Sequence, residues 1–138
     1  RSLVGSEMCI RDRGVADPVA TATGLAQARG TVVALTGARD IVVDGQRVVV
    51  VDNGHPLLKA ITGAGCMATT VIAAFAAVES DGLLAATAGL VCFGLAAELA
   101  AAKAQGPGSF RIALFDSLYN LTPEQVQAGA RVCWLGLE

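Results

Sequence analysis

The stretch Ile61-Thr62-Gly63-Ala64-Gly65-Cys66 constrains this chain more than any other, because a turn with two glycines joins a β-type segment to the apolar run at residues 67–78. Glycine brings backbone N–H groups close to a ligand with no Cβ in the way. The helix start that follows adds donors without intrahelical partners and a partial positive charge, which suits a phosphate. A thiol at such an entrance, here Cys66, sits where the pKa of a cysteine can be depressed and its reactivity raised. The plainer reading of the same residues is an Ala/Gly packing junction with Cys66 as a small buried hydrophobe.

Around this turn the pattern alternates between strand and helix. Asp17-Pro18 supplies an N-cap and a proline at the first helical position, which predicts a helix over 19–29 closed by Gly30. The β-branched run 31–36 predicts a strand buried on both faces and ending at Gly37. Segments 41–43 and 47–51 flank Asp44-Gly45-Gln46 and read as a hairpin. Asn53-Gly54 and Pro56 make 52–65 an ordered loop that delivers the chain to the glycine turn. Helices are expected over 66–79 and 82–104, with Asp81 capping the second, over 110–120 with Ser109 as cap, and from Thr122-Pro123-Glu124 onward. Strands first and packed helices after fit one portion of an α/β/α sandwich.

Composition removes several functions. With 54 % apolar and 16 % charged residues and a net charge of −2, the chain offers no basic patch for nucleic acid. Residues 83–102 are long enough to span a bilayer, yet they are mostly Ala and Gly, include Glu98, and lack an aromatic belt or flanking basic cluster. A buried helix explains them better than a membrane does. The cysteines at 9, 66, 92 and 133 form no Cys-x-x-Cys pair and have no neighbouring histidine, which argues against zinc and against a disulfide framework and fits a reducing cytoplasm. Cys92 and Cys133 read as packing residues.

Thr36 ends a strand where ligands gather in open α/β sheets. Asp40, in a turn, reads as a local backbone acceptor with no chemical role. His55 precedes proline, lacks a carboxylate or thiol partner at a telling spacing, and reads as structural. Lys59 is a solvated loop charge that could also neutralise phosphate, and Arg111 and Asp116 read as surface or helix-anchoring contacts.

The ordered set Thr36-Gly37, Asn53-Gly54-His55-Pro56-Leu57-Leu58-Lys59, Ile61 to Met67, Gly106-Pro107-Gly108-Ser109-Phe110-Arg111 and Leu114-Phe115-Asp116-Ser117-Leu118-Tyr119 resembles the hydroxyethylthiazole kinase family, over about residues 16–132. Its distinctive sign is Cys66, where most ribokinase-like kinases carry aspartate. The resemblance implies the C-terminal part of a ribokinase-like α/β/α three-layer sandwich and transfer of the ATP γ-phosphate to the hydroxyl of 4-methyl-5-(2-hydroxyethyl)thiazole in thiamine salvage. It implies an anion hole at Gly63, Ala64, Gly65 and Cys66, with Gly63 also bordering the thiazole, Cys66 in the catalytic position and Thr36 contacting ATP. A thiol, with a reference pKa of about 8.5, is a poorer base than a carboxylate, so Cys66 fits a role in positioning the hydroxyl. The same resemblance implies Mg2+ with ligands outside these residues, no metal ligand within them, and a cytoplasmic homotrimer that binds neither membrane nor nucleic acid. A hydroxymethylpyrimidine kinase, an ATP-dependent hydrate dehydratase and a non-catalytic fragment are the competing readings.

Residues 3–12 match the translation of a transposase sequencing adapter. The expected organisation is therefore a non-native assembly scar at 1–13 and the C-terminal part of one kinase domain at 14–138, inactive as a kinase by itself.

Overall fold

The computed structural model describes residues 17–135, so the expectation for 1–13 lies outside the described residues. Helix α1 (Pro18–Arg29) is capped by the Asp17 carboxylate, which accepts the Ala20 N–H at 3.0 Å, and closes on a left-handed Gly30. Strands β1 (Val33–Leu35), β2 (Asp40–Val43) and β3 (Val48–Val51) follow, then a 3-10 turn (Pro56–Ala60) and helices α2 (Ala64–Ala76), α3 (Gly82–Ala101), α4 (Pro107–Tyr119) and α5 (Pro123–Gly129), with β4 (Val132–Leu135) last. The strands form one antiparallel sheet in the order β1-β2-β3-β4.

Alternation along the strands divides the core. Val43 and Val48 point to the α1 side with Ala22 and Ala26, whereas Val42, Val49 and Val51 point to the helices on the other side. The result is three layers: α1, the sheet, and a helical layer in which α3 packs between α2 and α4. Helix α3 is apolar on every side because it is the middle of that layer, and although it is long and apolar enough to cross a membrane, 72 % of its apolar window is buried. Asp81 caps it through the N–H groups of Leu83 and Leu84.

Several expectations need correction. The first strand is shorter than 31–36 and only half-buried, because β1 is an edge of the described sheet: its faces pack, its outer edge does not. Helix α4 begins at Pro107, so Ser109 is its third residue; its hydroxyl reaches back to the N–H groups of Gln105 and Gly106 instead of capping from outside. Strand β4 was not expected at all. It lies exposed along β3, and Cys133 on it is exposed instead of packed, while Cys92 is half-buried in α3 and its thiol is pushed up by that burial.

Candidate functional site

At one end of the helical layer, loops after β1 and β3 and the start of α2 enclose a cleft of about 310 Å3, within the size of small-molecule sites. Its floor is apolar, from Ala68 on α2 and Leu90, Phe93 and Gly94 on α3. Its rim is polar and largely main chain.

The α2 side of the rim is the glycine turn. Gly63 stands at φ +90°, ψ 7°, a left-handed conformation that favours glycine, and no side chain caps the helix there. Its carbonyl already accepts the Met67 N–H at 2.9 Å, so the first turn is formed while the N–H groups of Ala64, Gly65 and Cys66 have no intrahelical acceptor. Gly63, Ala64 and Gly65 all line the cleft. Cys66 belongs to the same first turn, but its side chain is exposed and lies outside the cleft lining. Only Gly63 requires the left-handed conformation; Gly65 has ordinary φ and its absent Cβ leaves open space.

The loop after β1 brings Thr36, Gly37 and Asp40 to the same cleft. The Asp40 carboxylate accepts the Gly37 N–H at 2.8 Å, the local backbone role expected for it, and burial raises its pKa against that hydrogen bond. Thr36 and the glycine turn, remote in sequence, are thus brought together. Lys59 is the one lysine or arginine of the lining. His55, expected to be structural, makes a local contact: its Nδ1 accepts the Leu57 N–H at 3.2 Å and starts the 3-10 turn, and its ring lies 6.3 Å from that of Phe110. Arg111 and Asp116 are exposed on α4, away from the cleft lining.

The third part of the rim is Asn53, Gly54 and His55, and its fixation was missed in the sequence. Glu98, in the last turns of α3, accepts the Gly54 N–H at 2.7 Å, Asn53 Nδ2 at 3.2 Å, and two guanidinium bonds from Arg131 at 2.6 and 3.0 Å. Burial pushes this carboxyl up, but the bonds from Arg131, Gly54 and Asn53 prevail and hold it below the usual glutamate range. In the sequence Glu98 was only a charge interrupting an apolar stretch. The available signal was that very interruption, since a carboxylate in such a helix needs partners.

Among the described residues no group of three or more His, Cys, Asp and Glu could hold a metal ion. Asp40, the one carboxylate of the lining, is engaged with Gly37.

A family model described as the hydroxyethylthiazole kinase family matches residues 6–124. The chain is 67 % identical over 119 residues to a hydroxyethylthiazole kinase of Roseiflexus sp. (strain RS-1), covering 86 % of this chain and 44 % of the relative. It is 62 % identical over 122 residues to one of Chloroflexus aggregans, covering 88 % and 44 %. The solved structure of the hydroxyethylthiazole kinase protein from Pyrococcus horikoshii OT3 superposes with a TM-score of 0.82 at 39 % identity, over 96 % of this chain and 50 % of that one. The fold is accordingly the ribokinase-like one, and the chain spans less than half the length of the curated relatives it matches.

Proposed function

The chain belongs to the hydroxyethylthiazole kinase family, and from that premise we propose that it supplies the phosphate-binding part of an ATP-dependent kinase acting on the hydroxyl of 4-methyl-5-(2-hydroxyethyl)thiazole. The observation that carries the reading is the convergence of Thr36 with Gly63, Ala64 and Gly65 on one cleft, across a separation that folding alone closes.

Phosphoryl transfer asks the protein chiefly to align the reactants and to stabilise charge on the transferred group. The free N–H groups at the start of α2 are donors for the phosphoryl oxygens, and their orientation is fixed before the ligand arrives. Thr36 presents its hydroxyl to the nucleotide from the β1 side, Lys59 adds a positive charge at the rim, and the apolar floor excludes water beneath them. Gly63 borders the thiazole. Cys66, in the first turn but exposed, is assigned to the substrate hydroxyl, which it would approach from outside the cleft lining.

ATP is the co-substrate in this reading and Mg2+ the metal that neutralises its phosphates. The described residues do not fit a metal site, so no step is assigned to an ion held by them. The working protein is proposed to be a cytoplasmic homotrimer of the relatives' length, and the 138-residue chain is expected to be inactive as a kinase alone.

The test is a chimera in which residues 17–135 replace the matching segment of the Roseiflexus relative, assayed with MgATP by phosphorus NMR. Phosphorylation of the thiazole alcohol at a rate comparable to the relative's supports the reading. A folded chimera that leaves this alcohol untouched, or that prefers hydroxymethylpyrimidine, refutes it.

A further inference from the structure

Three segments far apart in sequence meet at the Glu98 carboxylate. Besides the bonds to Gly54, Asn53 and Arg131 described above, Asn53 Oδ1 accepts the Arg131 N–H at 2.8 Å and Asn53 Nδ2 donates to the Gly129 carbonyl at 2.9 Å. Arg131 also donates from its guanidinium to the Asp52 carbonyl at 2.9 Å. Asn53 is buried, and every polar atom of its side chain is engaged. One helical turn before Glu98, on the same face of α3, Gly94 lets the loop sit directly on the helix: a Cβ there would lie 2.6 Å from the Asn53 carbonyl carbon and oxygen. Gly94 thus sets how close this loop comes, and Glu98 sets its rotation by taking the Gly54 N–H. Both Asn53 and Gly54 line the cleft.

We propose that Glu98 is a positioning residue for the cleft: it holds Asn53, Gly54 and His55 in the ligand-ready arrangement and makes that rim depend on Arg131, at the root of β4. The proposal rests on the reading of the cleft as a nucleotide site, and it touches no residue assigned to the reacting groups. Glu98 works through the Gly54 amide, so an uncharged side chain that keeps an acceptor oxygen at the same reach preserves the rim, while an apolar one releases it.

The experiment compares the wild-type 138-residue chain with Glu98→Gln and Glu98→Leu, reading amide hydrogen exchange at Gly54 and the affinity for MgATP. A hydrogen bond to a charged group is strong enough that Glu98→Leu should speed Gly54 exchange by about tenfold or more and weaken ATP by a similar factor. Glu98→Gln should return both to within about threefold of wild type. A folded Glu98→Leu chain with unchanged Gly54 exchange and unchanged affinity overturns the proposal, and so does a Glu98→Gln chain as impaired as Glu98→Leu, which would make the charge itself the active element. If the wild-type chain binds no ATP, the nucleotide reading fails for this chain, and the Gly54 exchange decides the positioning claim by the same thresholds. Should Glu98→Leu fail to fold, Arg131→Gln takes its place: faster Gly54 exchange supports the coupling to β4 and unaltered exchange overturns it.

Discussion

The rim at Asn53, Gly54 and His55 is held by side chains: Glu98, Arg131 and Asn53 reach it from α3, from the start of β4 and from the loop itself. The rim at Gly63, Ala64 and Gly65 has no such support, since no side chain caps α2 and the left-handed Gly63 alone sets the direction of the first turn. A phosphate needs free donors, and any side-chain cap on this turn would occupy them. In the proposed reading the unbraced rim is the one that binds, and the braced rim holds the loop beside it. Substitutions should separate the two: changes at the glycine turn should remove ligand chemistry with little loss of fold, and changes at the braced rim should disturb the loop first and ligand affinity only through it.

The largest effect is expected at Gly65. The space where its Cβ would stand is open and its φ is ordinary, so Gly65→Val should fold, with stability unchanged or raised by about 0.5 kcal/mol from helix propensity. Its bulk at the cleft should nevertheless block the close approach of phosphate, and in the chimera kcat/KM should fall by more than Cys66→Ala achieves. Next comes Cys66→Ala, expected to lower kcat by roughly 10²–10⁴, the scale of a lost acid–base group, with Cys66→Asp retaining activity because a carboxylate is a competent base there. Steady-state kinetics on the three chimeras break the assignment if Gly65→Val is fully active while Cys66→Asp is dead.

On the braced side, Gly94→Ala places a methyl group against the main chain of Asn53, which cannot move aside as a flexible side chain would. Stability should drop by about 3 kcal/mol, the upper range for overpacking. Urea unfolding of the 138-residue chain measures it. A loss below about 0.5 kcal/mol would mean that the loop does not sit on α3 in this way.

This contrast also explains what could be read from the chain. The glycine turn, the hairpin about Asp44-Gly45-Gln46, the Asp81 cap and the local role of Asp40 depend on neighbours in sequence, and each was legible there. Glu98, Asn53 and Arg131 depend on contacts between segments as many as 79 residues apart, and nothing local marks them as partners. Strand β4 escaped for a related reason: its exposed side chains carry no alternation between core and solvent, and only pairing with β3 makes it a strand. Thr36 was expected at the carboxyl end of a strand, a topological position, and it lies directly after β1 on the cleft. The exposure of Cys66 was not legible, since the turn's sequence fixes the helix start but not which face of it borders the cleft.

The smallest expected effect is a difference in acid sensitivity between two carboxylates of the cleft region. Glu98 has a folded pKa below its ordinary value of 4.5, so the unfolded chain binds its proton more readily; its stabilising contribution is complete above about that value and is lost as pH falls through the folded pKa. Asp40 has the opposite sign. Burial raises its folded pKa above the ordinary 3.8, so the ionised group weighs against folding at neutral pH and that penalty fades as pH falls through the folded pKa. Wild-type stability should decline below about pH 5, helped by Asp44, Asp52 and Asp81, which are all lowered by hydrogen bonds. Glu98→Gln should flatten part of that decline, and Asp40→Asn, which keeps an acceptor for the Gly37 N–H, should steepen it. Urea midpoints from pH 3 to 7 read both slopes. If Asp40→Asn flattens the curve instead, Asp40 is stabilised as an anion, and the β1 side of the cleft is braced by charge after all.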